Sequence, residues 1–552
     1  MRQWILVVLV ALTMRPLHAQ WKQGVVVAAE PAAAEAGLAM LRAGGNCVDA
    51  AVATAFALAV TWPAAGNLGG GGFLVARLGD GRSLAIDFRE MAPRAATRGM
   101  YLDAKGEPVP ELSLVGVLAA GTPGSVPGLC AALERLGTLK LAAVLAPAIR
   151  LAEEGFVVGP HGAAAINGSR KLLARSEESK RIFLAGGTEV APDFQLRQPE
   201  LAATLRRLAE HGLEEWQHGR TTELLLACMQ KQGGIVTSED LADYRVVERE
   251  VLRGRYREHE VLTMPPPSSG GVALLQMLGV LESKKLHEAG WSSIEGRHLI
   301  IESMRRAFAD RARFLGDPDQ SRIPLAELLA GERIAAMAAS IGVEAARLDD
   351  AALPPPERDE TTHLSVLDGM GGAASLTTTL NGSFGCGVTV PGAGFLLNNE
   401  MDDFSTAPGQ PNMYGLVQGE ANTVAPLRRP LSSMTPTILC RDGKAVFVTG
   451  SPGGPTIINT VLLSILARVD GGLDAAGVVK APRFHHQWRP DHVSFEAEAF
   501  TAKERRALAA RGHQFADKAR RQGDCHVITR DPASGILEGA ADPRGGGAAR
   551  GF

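Results

Sequence analysis

From Gly24 onward the chain alternates short apolar runs with longer stretches of helical periodicity. "GVVVAAE" reads as a short strand, and "PAAAEAGLAMLRAGGN" as a helix with Pro31 in its first turn and Gly44 as its stop. A second apolar helix is predicted from about Asp49 to Val60. "PAAGNLGGGGFLV" then reads as a glycine-rich turn leading into a strand. Residues 128–350 alternate helix-like stretches with loops and read mostly as scaffold. Within them "MPPPSSGGVALLQML" predicts a stiff turn ending at Gly270 and Gly271, then a helix, and "IESMRRAFADRARFLGDP" predicts an amphipathic helix from Ile301 to a stop at Gly316.

The pattern changes after "AALPPPERDE", where three prolines exclude an extended helix and the charges favour solvent. Short strand-like runs follow at 362–367, 373–380, 394–397, 436–440 and 445–449, then a helix from near Pro455 through "TIINTVLLSILARV". Strand-rich and helix-rich portions together predict a layered α/β or α+β body, and periodicity alone does not choose among such folds.

One hairpin can be set in register. "TTHLSVL" and "AASLTTT" flank "DGMGG", and Asp-Gly and Gly-Gly are turn formers. With the turn centred on Met370, paired residue numbers add to 740 and Thr361 faces Thr379; a slip of one would put the hydroxyls on opposite faces.

Composition narrows the function. The chain of 552 residues is 45% hydrophobic and 21% charged, as in ordinary folded proteins, with 63 glycines and only 5% aromatics. Fifty-seven basic and 60 acidic residues give a net charge of −3, which becomes −5 if Arg2 and Arg15 leave with a leader. No basic aromatic stripe offsets that balance, so nucleic acid is not an expected partner. "MRQWILVVLVALTMRPLHA", residues 1–19, has a basic start, a short apolar run and a small residue at a plausible cut; it reads as a cleaved export signal. No later segment is an uninterrupted apolar span, so a periplasmic or secreted protein without a stable transmembrane span is expected. Six cysteines at 47, 130, 228, 386, 440 and 525 follow neither a disulfide nor a zinc pattern, and Cys47 reads as a buried small side chain. "GNLGGGGF" lacks the lysine and hydroxyl of a phosphate loop; close backbone packing beside a cleft is the better account.

Thr361 offers chemistry only under one condition. A threonine hydroxyl is a poor nucleophile unless a base takes its proton. Cutting between Glu360 and Thr361 would create an α-amine with a pKa of roughly 7.7–8.0, able to accept that proton directly or through water. Thr379 across the hairpin could hold the attacking oxygen in line. His363 reads as structural rather than as a base, and His485 and His486, among Arg483, Gln487 and Trp488, read as a packed network rather than metal ligands.

"DETTHLSVLD", "TLNGSFG", "LLNNEMDDFS", "RPLSSMTPTI" and "TGSPGG" together resemble the gamma-glutamyltransferase family of N-terminal nucleophile hydrolases. "GGNCVDAAVA", "GNLGGGGF", "DFREMAP", "GTPGSVPG", "YGLVQGEANTV" and "APRFHHQW" extend the resemblance over nearly the whole mature chain. The resemblance implies an α+β, four-layer αββα sandwich formed by two subunits cut from one precursor, here residues 20–360 and 361–552. It implies Thr361 as nucleophile, Gly453 and Gly454 as an oxyanion hole, and Glu400, Asp403 and Asn381 as the clamp for a substrate ammonium. Arg89, assisted by Ser432 and Ser433, would hold the α-carboxylate. Adjacent strand residues point apart, so both serines can serve only on an irregular backbone or with one acting through its amide. Residues 411–424, with Tyr414, are similar to a lid. The expected substrates are glutathione and other small gamma-glutamyl compounds, with water, amino acids or short peptides as acceptors, and no metal, nucleotide or organic cofactor is required. The alternatives are a glutaryl-amide or cephalosporin-type acylase of the same family, and a non-enzymatic exported binding or structural protein.

Overall fold

A computed structural model describes residues 19–184, 189–346 and 361–552. The export signal, the proline-rich 351–360 segment and the Glu360 side of the expected cut lie outside the described residues. Two seven-stranded antiparallel sheets form the centre. Their strands are, in chain order, β1 (Gln20–Trp21), β2 (Gly24–Ala28), β3 (Gly71–Arg77), β4 (Ser83–Phe88), β5 (Val247–Arg249), β6 (Leu252–Tyr256), β7 (His259–Thr263), β8 (Thr361–Asp368), β9 (Ala373–Thr379), β10 (Thr437–Arg441), β11 (Lys444–Thr449), β12 (Val527–Arg530), β13 (Leu537–Ala540) and β14 (Ala548–Gly551). The first sheet runs β14–β2–β8–β9–β3–β4–β5, and the second β1–β13–β12–β11–β10–β7–β6.

Three cores separate four layers. On the outer face of the first sheet, Val26, Leu364, Val366 and Leu376 pack against helices α1 (Pro31–Arg42), α2 (Cys47–Thr61), α3 (Leu141–Glu154) and α4 (Pro199–His211). Between the sheets lie Val25, Val27, Phe73, Leu367, Ile438, Val448 and Ile528. On the outer face of the second sheet, Val261, Leu439 and Phe447 meet α5 (Gly270–Ser283), α6 (Ile294–Phe314) and α7 (Thr456–Val469). Burial of both sheet faces explains "GVVVA": consecutive valines serve opposite cores, so no polar alternation is possible. Burying this apolar area, at about 25 cal/mol per Å², is what holds the layers together.

The hairpin register is as expected, with Thr361 opposite Thr379 and Leu367 opposite Ala373. Asp368 closes the turn, its Oδ1 accepting from Met370 N at 2.9 Å and Gly372 N at 2.7 Å. The helix expected from Asp49 starts at Cys47, capped by Asn46 and Asp49 in reciprocal hydrogen bonds. Three expectations need correction. Residues 394–397 form only isolated bridges, because the chain turns at 391–393 and Gly394 N closes back on Val390 O at 2.9 Å. α6 begins at Ile294 rather than Ile301, since Ser293 Oγ accepts from Gly296 N and starts it two turns earlier. The 128–350 region is more than helical scaffold, since it supplies β5, β6 and β7 to the sheet edges. All six cysteines are free, and Cys47 is buried.

Candidate active site

β8 begins at Thr361, and its odd-numbered side chains point into the space between the sheets. Thr361, His363 and Ser365 therefore share one face with Thr379, Thr377 and Ser375 of β9. Thr379 Oγ1 accepts from Asn381 N at 2.8 Å, which turns the chain so that Asn381 enters the same cleft. The even positions face the other way. Thr378 Oγ1 donates to Gly71 O at 2.8 Å, and Asn67 Nδ2 donates to Thr379 O at 2.8 Å, so the glycine-rich turn braces the end of β9.

His363 is part of this support. Its Nδ1 lies 2.9 Å from Thr377 Oγ1 and its Nε2 3.0 Å from Ser365 Oγ, and burial holds its pKa well below the usual range. The ring ties β8 to β9 beneath Thr361, in keeping with the structural reading. His485 is similarly engaged by Asn459 and Gln487, and His486 by Asp491.

The charged end of the cleft is built from two distant segments. β4 ends at Phe88, and Arg89 follows it into the interior, only 1% exposed. Residues Glu400–Asp403 form one turn of 3-10 helix, which eclipses positions three apart and sends Glu400 and Asp403 the same way. Arg89 Nη1 donates to Glu400 and Nη2 to Asp403. Glu90 lies 3.5 Å from Arg89, and neither of its buried oxygens has a hydrogen-bond partner among the described residues. Burial works against the charge of Arg89, but Glu400, Asp403 and Glu90 outweigh it and hold the guanidinium more firmly protonated than usual. Burial also raises the Glu400 carboxyl well above the carboxylate range and Glu90 to about 7. Three carboxyls share one guanidinium, and the raised Glu400 and Glu90 hold protons where a second cation is lacking, a setting that favours an ammonium.

The opposite wall comes from the second sheet's approach. Residues 431–436 precede β10 without regular strand pairing, so Ser432 and Ser433 both line the cleft. The irregular backbone that two adjacent serines require is present. Gly454 lines the cleft at the foot of α7, with Gly453 directly before it. Their φ values are +131° and +51°, and neither N–H donates to another group among the described residues. Tyr414 crosses above them, its hydroxyl donating to Asn381 O at 2.9 Å. The cleft's free volume is about 20 Å³, room for little more than a water molecule with the side chains as they stand.

Every residue expected at the site is thus at or beside one cleft, with Gly453 behind Gly454 rather than on its lining. Sequence reasoning passed over the apolar lining of Leu416, Met434 and Ile457. It also passed over Glu90 and Arg311. Arg311 sits behind Ser433, and a signal for it existed: it continues the buried stripe of Ile301, Met304 and Phe308 along α6.

The sequence profile described as Gamma-glutamyltranspeptidase matches residues 33–552. The chain belongs to the gamma-glutamyltranspeptidase family. It is 45% identical over 529 residues to the glutathione hydrolase proenzyme of Escherichia coli K12, spanning 95% of this chain and 90% of that one. Among solved structures, a cephalosporin acylase from Bacillus halodurans superposes with a TM-score of 0.84 at 28% identity, covering 98% of both chains. The gamma-glutamyltranspeptidase of Helicobacter pylori is 40% identical, with a TM-score of 0.56 over 58% of this chain and 91% of that one.

Proposed function

We propose that this chain is an exported precursor that cuts itself between Glu360 and Thr361 and then acts as a gamma-glutamyl acyltransferase and hydrolase. Its substrates are glutathione and other small gamma-glutamyl amides. Residues 1–19 are the leader, 20–360 the large subunit and 361–552 the small catalytic subunit, and the mature enzyme is periplasmic or secreted. The observation that carries this reading is Thr361 at the start of β8, opposite Thr379 and lining one cleft with Arg89, Asn381, Glu400, Asp403, Ser432, Ser433 and Gly454.

The substrate ammonium enters the acid-rich end, drawn by Glu400 and Asp403, with Asn381 beside them. Its α-carboxylate faces Arg89 and the two serines. That places the gamma-carbonyl toward Thr361. The hydroxyl attacks the carbonyl carbon while its proton passes to the new α-amine of Thr361. Negative charge on the carbonyl oxygen is met by the N–H groups of Gly453 and Gly454, a type of donor whose removal costs roughly 10²–10³ in kcat. Collapse breaks the amide, the leaving amine takes the proton, and a gamma-glutamyl ester remains on Thr361. Water then releases glutamate, or an amino acid or short peptide accepts the acyl group. Tyr414 covers the cleft and favours small donors over long polymers.

Intact and peptide mass spectrometry during incubation with glutathione tests this directly. The native sequence should give two chains and a gamma-glutamyl label on the peptide starting at Thr361; Thr361→Ala should give one unbroken, unlabelled chain. Acyl transfer by pure uncut Thr361→Ala protein, or a label on another residue, overturns the proposal.

The likeness to a cephalosporin acylase supports a second reading, cleavage of glutaryl-type amides by the same threonine. A glutaryl group carries no ammonium for Glu400 and Asp403 to hold, and that mismatch ranks it second.

A further inference from the structure

Arg311 is 2% exposed, yet it makes no ion pair with any described residue. Its Nε donates to Ser269 Oγ at 2.9 Å, its Nη2 donates to Ser433 Oγ at 3.3 Å, and its Nη1 has no partner among the described residues. An unpaired buried guanidinium is among the costliest groups a fold can hold, because desolvation of the charge goes uncompensated. Burial lowers its pKa to about 10, with Arg89 adding to the effect and Asp403 opposing it, so it stays charged at neutral pH. Something must offset that cost when the site is in use.

The hydrogen bonds around it have a direction. A guanidinium only donates, so Ser433 Oγ accepts from Arg311 and its own proton must go elsewhere. Ser432 Oγ likewise accepts, from Met434 N at 3.1 Å. Neither hydroxyl proton has an acceptor among the described residues, and both serines line the cleft that contains Thr361. The turn that carries them is fixed from behind: Ser269 N and Ser269 Oγ both donate to Ser432 O at 2.7 Å. Two hydroxyls are therefore pinned as donors toward the cleft, with a cation behind one of them. Arg89, which donates to Pro430 O and Leu431 O just before this turn, is already claimed by Glu400 and Asp403.

We infer that Arg311 is a positioning residue for recognition of the substrate's α-carboxylate, turning the Ser433 hydroxyl into an obligate donor and supplying the uncompensated positive charge behind it. This rests on the gamma-glutamyl reading above. The bland alternative is a strut that ties α6 to the 432–433 turn and has no say in which donor is used.

The two separate on a matched set of p-nitroanilides: gamma-glutamyl, and 4-aminobutanoyl, which is the same group without its α-carboxylate. Arg311→Gln should lower kcat/KM for the gamma-glutamyl donor by on the order of 30- to 100-fold, chiefly through KM, the scale of a charge-assisted hydrogen bond. The 4-aminobutanoyl donor should change by less than about 3-fold, so selectivity for the carboxylate collapses. Arg311→Lys keeps the charge but loses the fork, and should fall between. Ser433→Ala should cost much less in the Arg311→Gln background than in the native one. An equal loss on both donors, or a Ser433→Ala effect that is the same in both backgrounds, overturns the inference. Should Arg311→Gln fail to mature, Arg311→Lys carries the same comparison. Absence of any acyl label on native Thr361 would instead sink the gamma-glutamyl reading itself, which keeps the two failures distinct.

Discussion

Asp402 and Asp403 are neighbours in the chain with different partners. Asp402 accepts from Ser113 Oγ at 2.7 Å and Met413 N at 3.2 Å, anchoring the segment beneath Tyr414, while Asp403 reaches Arg89 with its side chain 14% exposed to the cleft. Glu400 differs again, since burial keeps its carboxyl protonated more readily than usual beside Glu90. Two variants should therefore part company. Asp403→Asn should lower kcat/KM for gamma-glutamyl amides roughly 30- to 100-fold, the scale of a lost charged contact, and leave glutaryl amides within about 3-fold. Glu400→Gln keeps the shape and an acceptor for Arg89, so its loss should stay below roughly 10-fold. Steady-state kinetics on both amides checks this; equal damage by the two variants, or parallel loss on the glutaryl amide, would refute the division of roles. At this scale the sequence carried the motif residues by resemblance. It could not carry burial: Arg89 beside Glu90 has the look of a surface ion pair, and only the end of β4 running into the interior makes it the centre of a buried cluster.

At the level of elements, the hairpin was the most legible part, because a turn centre and a period of two determine every pairing between Thr361 and Thr379. The 394–397 run was not, since apolar content cannot reveal the turn just before it. "GNLGGGGF" was legible in kind, as close packing rather than ligand binding, and its contacts now give that reading a number. A Cβ at Gly70 would stand 2.0 Å from Thr379 O and 2.7 Å from Asn67 Oδ1. Those atoms belong to the brace that holds the end of β9 opposite Thr361, so the strand would have to move. Gly70→Ala should cost on the order of 1–3 kcal/mol of stability, the usual range for overpacking, and slow self-cutting by displacing Thr379. Chemical denaturation and a time course of chain scission measure the two effects. Unchanged scission in a destabilised variant would mean that the brace does not position the nucleophile.

The four layers were beyond reach of periodicity, because strands buried on both faces lose their alternation, and resemblance supplied the architecture instead. What the assembled molecule adds is a balance of buried titratable groups. Burial leads in holding five histidines uncharged: His485 and His513 down to about 3, His486 and His526 to about 4, and His363 well below its usual range. An unfolded chain takes these protons near pH 6.5, so the stability they contribute is present above that pH and lost as it falls. Four carboxyls act oppositely. Burial raises Glu30, Glu90 and Asp402 to about 7 and Glu400 well above the carboxylate range. The folded chain takes those protons first, so they add stability as pH falls from about 7 until unfolded carboxyls protonate near pH 4.4. Between about pH 6.5 and 4.5 the two sets of groups oppose each other, so the net loss of stability over that range is small. Below about pH 4.5 the carboxyl compensation ends while the lowered histidines still resist protonation in the folded chain, and the fall steepens. Asp491, Asp542 and Glu302 reinforce the fall: burial opposes their charge, but a His486 hydrogen bond and Arg305 at Asp491, and neighbouring arginines at the other two, outweigh it, and their lowered pKa values add stability that acid removes. Denaturant titrations of the unbroken Thr361→Ala chain should thus show a shallow decline to about pH 4.5 and a steep one beneath it. A uniform steep fall starting at pH 7 would mean that the buried carboxyls do not hold their protons in the folded chain.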